Sequence, residues 1–211
     1  MSRDTLCNYP QTNEELIKGL NLQPHPEGGH YALTHVTKQT TISPFASEDG
    51  DRNRSIQSTI YYLLSIGQDV RDTNEIHNHR SAIGYMHKNK SETMHLLHTG
   101  RVKYTLISTH SKPPQIRQVV MGEDLAKGEV RQLMVGGDEW KVSEIPKEDR
   151  DWAISFPEKK NYVGGLISEV VTPGFDWKDH EYITMTKLKN LFGSDQESID
   201  RFSVYVLPEK E

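Results

Sequence analysis

From Ala82 to Ile107 the chain reads AIGYMHKNKSETMHLLHTGRVKYTLI, and this pattern belongs to short antiparallel strands. Apolar and polar residues alternate through Thr93, Met94, His95, Leu96, Leu97 and His98. Thr99-Gly100-Arg101 breaks the run before Val102 to Ile107 resumes it. Alternation with a period of two is the signal of a half-buried strand, and glycine at the break is a hairpin signal. Three of the ten histidines, His87, His95 and His98, fall inside this one stretch.

The same grammar recurs along the chain. Thr12-Asn13-Glu14-Glu15 fits a capping box, so a short helix is expected from Asn13 to Leu20. Two prolines and Gly28-Gly29 then impose a turn, after which His30 to Val36 alternates like a strand. Residues 38–54 are polar and read as a surface loop. Ser55 to Ser65, rich in β-branched and aromatic residues, reads as a central strand. Further strands are expected at Ile116 to Met121, Glu129 to Val135 and Lys141 to Ile145. Asp151 to Phe156 reads as a buried apolar segment, and Tyr162 to Thr172 as a long strand. The Gly164-Gly165 pair in that strand marks a bulge or a close backbone approach. A helix is expected over Lys187 to Phe192, and FSVYVL near the end reads as a last strand. Eight or more short strands with turn signals about every 8 to 12 residues, and little helix, predict an all-β double-sheet jelly roll. No linker divides the 211 residues, so one domain is expected, with its core between about residues 20 and 192.

Composition narrows the partners. A formal charge of −5, with Lys and Arg scattered, leaves no electrostatic footprint for nucleic acid or an anionic membrane surface. No stretch approaches the roughly 20 apolar residues needed to cross a bilayer. The N-terminus lacks a signal-peptide pattern, and Cys7 is the single cysteine, which fits a reducing compartment, cytosolic or nuclear. Cys7 has no His or cationic neighbour that marks a nucleophile.

The stretches PHPEGG (Pro24 to Gly29), STIYYLL (Ser58 to Leu64), HKNKSETMH (His87 to His95) and PGFDW (Pro173 to Trp177) together resemble the Cupin 5 family, in its fungal branch. The resemblance spans roughly Leu20 to Phe192. It implies a double-stranded β-helix, the cupin jelly roll with short terminal helices, usually as a homodimer. It also implies a likeness to sugar-nucleotide epimerases of the superfamily. Thr93 stands where the family carries a Glu, and His95 where it carries a Trp. In the ungapped register Thr93, His95 and Leu97 face inward; a slip of one residue turns every side chain to the other face.

A metal-binding cupin offers His-x-His, a Glu four or five residues later and a distant His on a second motif. Here His77-Asn78-His79 is followed by Ile83 and Gly84 where the Glu belongs. His87 has Glu92 five residues on, but Tyr85 replaces its partner His, and Gly128 to Lys141 holds no histidine. No resident metal or cofactor is therefore expected. His87 and His95 are the candidate proton-transfer groups, since imidazole titrates near neutral pH. Glu169 is the third catalytic candidate, because a lone carboxylate in the apolar run LISEVV is costly unless paired or functional. Lys103 is its candidate partner and a candidate ligand-binding residue, with Tyr62, Thr93 and Trp140. His25 and Glu27, held by Pro26, read as framing the pocket or supporting a dimer. Three functions stay open: a metal-independent isomerase or epimerase on a carbohydrate-like metabolite, a non-catalytic small-ligand binding protein, and a metal-dependent oxygenase.

Overall fold

The computed structural model describes residues 11–46, 48, 50–67 and 80–208. Cys7, His77 and His79 lie outside the described residues. Helix α1 (Asn13–Gly19) starts as its capping box dictates: the Thr12 hydroxyl accepts from the Glu15 amide, and Glu15 accepts from the Thr12 amide at 2.7 Å. The strands follow as β1 (Gln23–Pro24), β2 (His30–Val36), β3 (Thr40–Ile42), β4 (Asn53–Ser55), β5 (Ser58–Ser65), β6 (His87–Asn89) and β7 (Glu92–Gly100). After these come β8 (Val102–Ser108), β9 (Gln115–Met121), β10 (Gln132–Val135), β11 (Trp140–Glu144), helix α2 (Lys147–Ser155) and β12 (Gly164–Thr172). Strand β13 (His180–Tyr182) and helices α3 (Met185–Phe192) and α4 (Gln196–Ser203) complete the order.

Two antiparallel sheets carry the fold. One has the order β1-β2-β5-β12-β7-β10, the other β13-β6-β11-β8-β9, and β3 pairs with β4 as a separate hairpin. The principal core takes Tyr62 and Leu64 from β5, Ile167 from β12 and Leu133 and Val135 from β10. From the facing sheet it takes Val102, Tyr104, Leu106 and Met121. A second core lies on the outer side of the smaller sheet, where Trp140 and Val142 meet Leu188, Phe192, Ile199 and Phe202 of the last two helices. None of the helices among the described residues is long and apolar enough to cross a membrane.

The expected all-β architecture is observed, with differences that have local causes. FSVYVL is not a strand. Asp195 caps α4 by accepting from the Ser198 amide, and Ile199 and Phe202, three residues apart, bury one helical face while Val204 turns outward. Residues 151–156 close a helix that reaches the core on one side only: Ala153 joins the principal core with Trp152 packed against it, but Ile154 and Phe156 are exposed. A short apolar run cannot by itself separate the two periods. The polar segment 38–54 contains the β3–β4 hairpin, with Thr40 opposite Ser55.

The hairpin glycine between β7 and β8 is sterically required. Gly100 has φ +76°, and a Cβ there falls on the carbonyl oxygen of Gly164 in the neighbouring strand. Gly100→Ala is expected to lower unfolding free energy by about 2–4 kcal/mol, from left-handed backbone strain plus overpacking against main chain. Urea denaturation checks it; a loss under about 0.5 kcal/mol contradicts it.

Candidate functional site

Charged side chains are rarely buried without partners, because desolvation outweighs any single attraction. Here several line one interior. On β12 every second residue faces inward, and Glu169 lies directly opposite His95 of β7. His95 is fully buried, with its Nε2 3.3 Å from Glu169 Oε1 and its Nδ1 3.3 Å from the Leu133 carbonyl oxygen. Lys141 completes the group, its Nζ 3.5 Å from Glu169 Oε2 and 3.4 Å from His95 Nε2. Strand alternation explains Lys141: Trp140 and Val142 face the second core, which sends Lys141 and Ser143 into the barrel. Burial alone pushes the Glu169 carboxyl upward, but the Lys141 ammonium, and then His95, hold it far below the usual carboxylate range. The Tyr104 ring packs 4.9 Å from that of His95, and its buried hydroxyl has no hydrogen-bond partner among the described residues.

A second cluster adjoins the first. The PHPEGG turn is pinned by the Tyr85 amide donating to the Glu27 carbonyl at 2.7 Å and by the His25 amide donating to Gly29 at 2.9 Å. Gly28, at φ +99°, passes so close to the main chain that a Cβ would lie 2.9 Å from the carbonyl oxygens of Arg80 and Ile83. Glu27 is thereby driven inward, its carboxylate 3.2 Å from His87 Nε2 and 2.8 Å from His180 Nε2. His180 arrives because β13 pairs with β6, placing it opposite Asn89, and its ring stacks on His87 with centroids 5.2 Å apart. The preceding residue, Asp179, is gripped by buried Arg54 through two hydrogen bonds of 2.8 and 3.2 Å. Burial would raise Glu27, but His87 and His180 prevail and hold it at about 2. Burial, reinforced by Lys141 and His180 against Glu27, pushes His87 down to about 4. Near neutral pH the carboxylate is therefore ionised and His87 is neutral.

The structure sorts the candidates. His95 and Glu169 meet directly, whereas His87 pairs with Glu27 on the adjoining cluster. Tyr62 and Thr93 are buried on inward positions as expected. Lys103 is a correction: it leaves the opposite face of β8 from Tyr104 and pairs with Glu144 at 2.5 Å, so Lys141 takes the place beside Glu169. Trp140 is another correction: it is core, with the Lys88 ammonium 5.0 Å from its ring centroid. Lys141 and His180 went unread in the sequence, and Glu27 was read as framing the pocket or supporting a dimer, not as the partner of His87. The signals were a lone Lys between Trp140 and Val142, and ionisable residues embedded in or just beyond PHPEGG and PGFDW.

Among the described residues the ligand set that metal-binding cupins share is not assembled: Glu92 is exposed on β7, and β10 and β11 carry no histidine. A different set does converge: among the described residues, Glu27, His87 and His180 bring ligand atoms within 4.8 Å of one another. Open depressions on the surface include one lined by Met185, Val204 and Leu207 and another lined by Gln115, Arg117 and Glu139.

Residues 14–183 match the family Cupin_5, described as Cupin superfamily (DUF985). The chain belongs to this cupin family. A Saccharomyces cerevisiae relative, the uncharacterized protein YML079W, is 32% identical over 200 residues, covering 89% of this chain and 83% of its own. A hypothetical protein from Leishmania major superposes with a TM-score of 0.68 at 24% identity, covering 90% of this cupin and 98% of that chain. Protein SO0799 from Shewanella oneidensis does so at 0.67 and 22% identity, covering 94% and 99%. At these identities the two structures establish the fold. The cupin jelly roll thus explains why Glu27, near one end of the chain, meets His180, near the other.

Proposed function

We propose that this cupin binds a small, carbohydrate-like metabolite in its barrel and moves a proton on it without a metal, as an isomerase or epimerase. The observation that carries the reading is the enclosed His95–Glu169–Lys141 triad beside the unpartnered Tyr104 hydroxyl. With its Nδ1 hydrogen directed at the Leu133 carbonyl, His95 turns Nε2 toward Lys141 and Glu169, where a ligand that displaces the Lys141 contact would meet it as a proton acceptor. The imidazolium formed is stabilised by the ionised Glu169, which Lys141 keeps charged and in place. Tyr104, whose phenol burial holds well above its ordinary value, stays protonated and can donate. His87 is assigned to the same interior through its neighbour Glu27.

A homodimer belongs to the same reading. Leu33, Val36, Ile42 and Ile56 expose apolar side chains within one segment of the chain, which supports a covered face.

Incubating the protein with small keto sugars and their nucleotide-linked forms in deuterated water, with chelator present, tests the reading. Exchange of a carbon-bound proton, followed by NMR, is expected in the wild type. His95→Gln is expected to slow it by about 10²–10⁴-fold. Ligand binding without exchange favours the non-catalytic binding protein instead.

A further inference from the structure

The side chains of His87 and His180 are only 5% and 3% exposed, and neither Nε2 has a hydrogen-bond partner among the described residues. Both nitrogens nonetheless converge on one carboxylate, at 3.2 Å from Glu27 Oε2 and 2.8 Å from Glu27 Oε1. For His87 the tautomer is set from its other side. A backbone carbonyl can only accept, so the 2.8 Å contact between Nδ1 and the Tyr85 oxygen requires the hydrogen to sit on Nδ1. With Nδ1 committed to that carbonyl, Nε2 is the ring atom that faces the carboxylate and is the one free to ligate a cation. Glu27, His87 and His180 thus bring ligand atoms within 4.8 Å of one another in a buried interior.

We propose that Glu27, His87 and His180 form a binding site for a divalent first-row transition metal, of the two-histidine, one-carboxylate type. Ligand atoms about 2.0–2.2 Å from such a metal sit roughly 3 Å apart when they subtend a right angle. Each imidazole Nε2 comes that close to one Glu27 oxygen, His180 at 2.8 Å from Oε1 and His87 at 3.2 Å from Oε2, and one ligand atom from each of the three residues lies within 4.8 Å of the others. Imidazole with carboxylate favours manganese, iron, cobalt, nickel or zinc over calcium or magnesium, which take oxygen ligands. The supporting contacts are those of a metal centre: the Tyr85 carbonyl fixes the His87 ring, and Arg54 holds Asp179 beside His180. The buried, unpartnered hydroxyl of Tyr182, whose ring lies 4.5 Å from that of His180, supplies a polar group for a metal-bound water or ligand. Only His87 comes from the stretch that carries the ligands of metal-binding cupins; Glu27 and His180 come from PHPEGG and the segment after PGFDW. The proposal goes beyond the acid–base reading, and either can fail alone.

The test uses full-length protein made without an affinity tag, stripped with chelator and titrated with Co²⁺. One Co²⁺ per chain is expected, with visible d–d absorption and a raised melting temperature. Glu27→Gln and His180→Gln are each expected to weaken binding by more than the roughly 10–100-fold typical of losing an outer-shell partner. Glu92→Gln, at the exposed motif position, is expected to bind as the wild type does. A wild type that takes up no Co²⁺, or uptake that survives both substitutions, overturns the proposal. Should those variants fail to fold, proton NMR of the wild-type Co²⁺ complex decides. Paramagnetic shifts on two imidazoles support the site, and shifts on one or none overturn it. Turnover is not read, so failure of the acid–base reading leaves this result independent.

Discussion

Lys141→Met is expected to lower the unfolding free energy by about 3–5 kcal/mol at pH 7, the cost of stranding a buried partner. Lys141 is 3% exposed and Glu169 8%, so water cannot replace the lost ammonium. The sign of the pH dependence follows from the carboxyl. In the wild type Glu169 is depressed far below its unfolded value, so its stabilisation is fully present above about pH 4.3 and is lost as pH falls below that. In the variant burial acts with less opposition and raises the carboxyl, which then folds protonated more readily. The difference between the two proteins should therefore shrink as pH falls from 7 toward 4. Urea titrations at several pH values measure this, and a variant equally destabilised at pH 7 and pH 4 contradicts it. The double variant Lys141→Met/Glu169→Leu should recover much of the loss, because an apolar replacement leaves no buried charge from that pair. Proton exchange by His95, if the proposed function holds, should fall in both.

Arg54→Met should cost a similar amount, about 3–5 kcal/mol, by stranding Asp179. Arg54 and Asp179 are 4% and 7% exposed, and the guanidinium also donates to the carbonyls of Asp51 and Asn53 at 2.8 Å each. Arg54→Lys should rescue little, since an ammonium cannot reproduce a planar fork that meets the carboxylate twice. Asp179→Asn should cost less, because the amide oxygen still accepts from Arg54. Denaturation measures the stability. The ring resonances of His180, one residue along, report whether its position depends on that anchor. Unmoved His180 signals in a folded Arg54→Met protein contradict the positioning role.

The α1 capping box, the β5 run and the inward register of Thr93, His95 and Leu97 were legible because each depends on residues close together in sequence. Capping is decided within four residues, and strand facing by strict alternation. Lys103 and Trp140 went astray for the complementary reason. Alternation states that two sides exist but not which one faces the barrel and which the terminal helices, and here the last two helices make the outer side of β11 a second core. That packing drew Trp140 outward and left Lys141 to face Glu169.

His87, His95 and Glu169 were recognisable from composition and setting, as imidazoles and a carboxylate embedded in strands. Their partners were not. Glu169 meets His95 because β12 lies between β5 and β7, and Glu27 meets His180 because the turn before β2 and strand β13 both close on β6. By itself the sequence determined the jelly roll, its turns and the inward faces of its best strands, since backbone sterics and hydrophobic alternation act locally. Only the tertiary structure decided which buried charges neutralise one another, because cross-strand neighbours are chosen by sheet order and register, which join residues as far apart as Glu27 and His180.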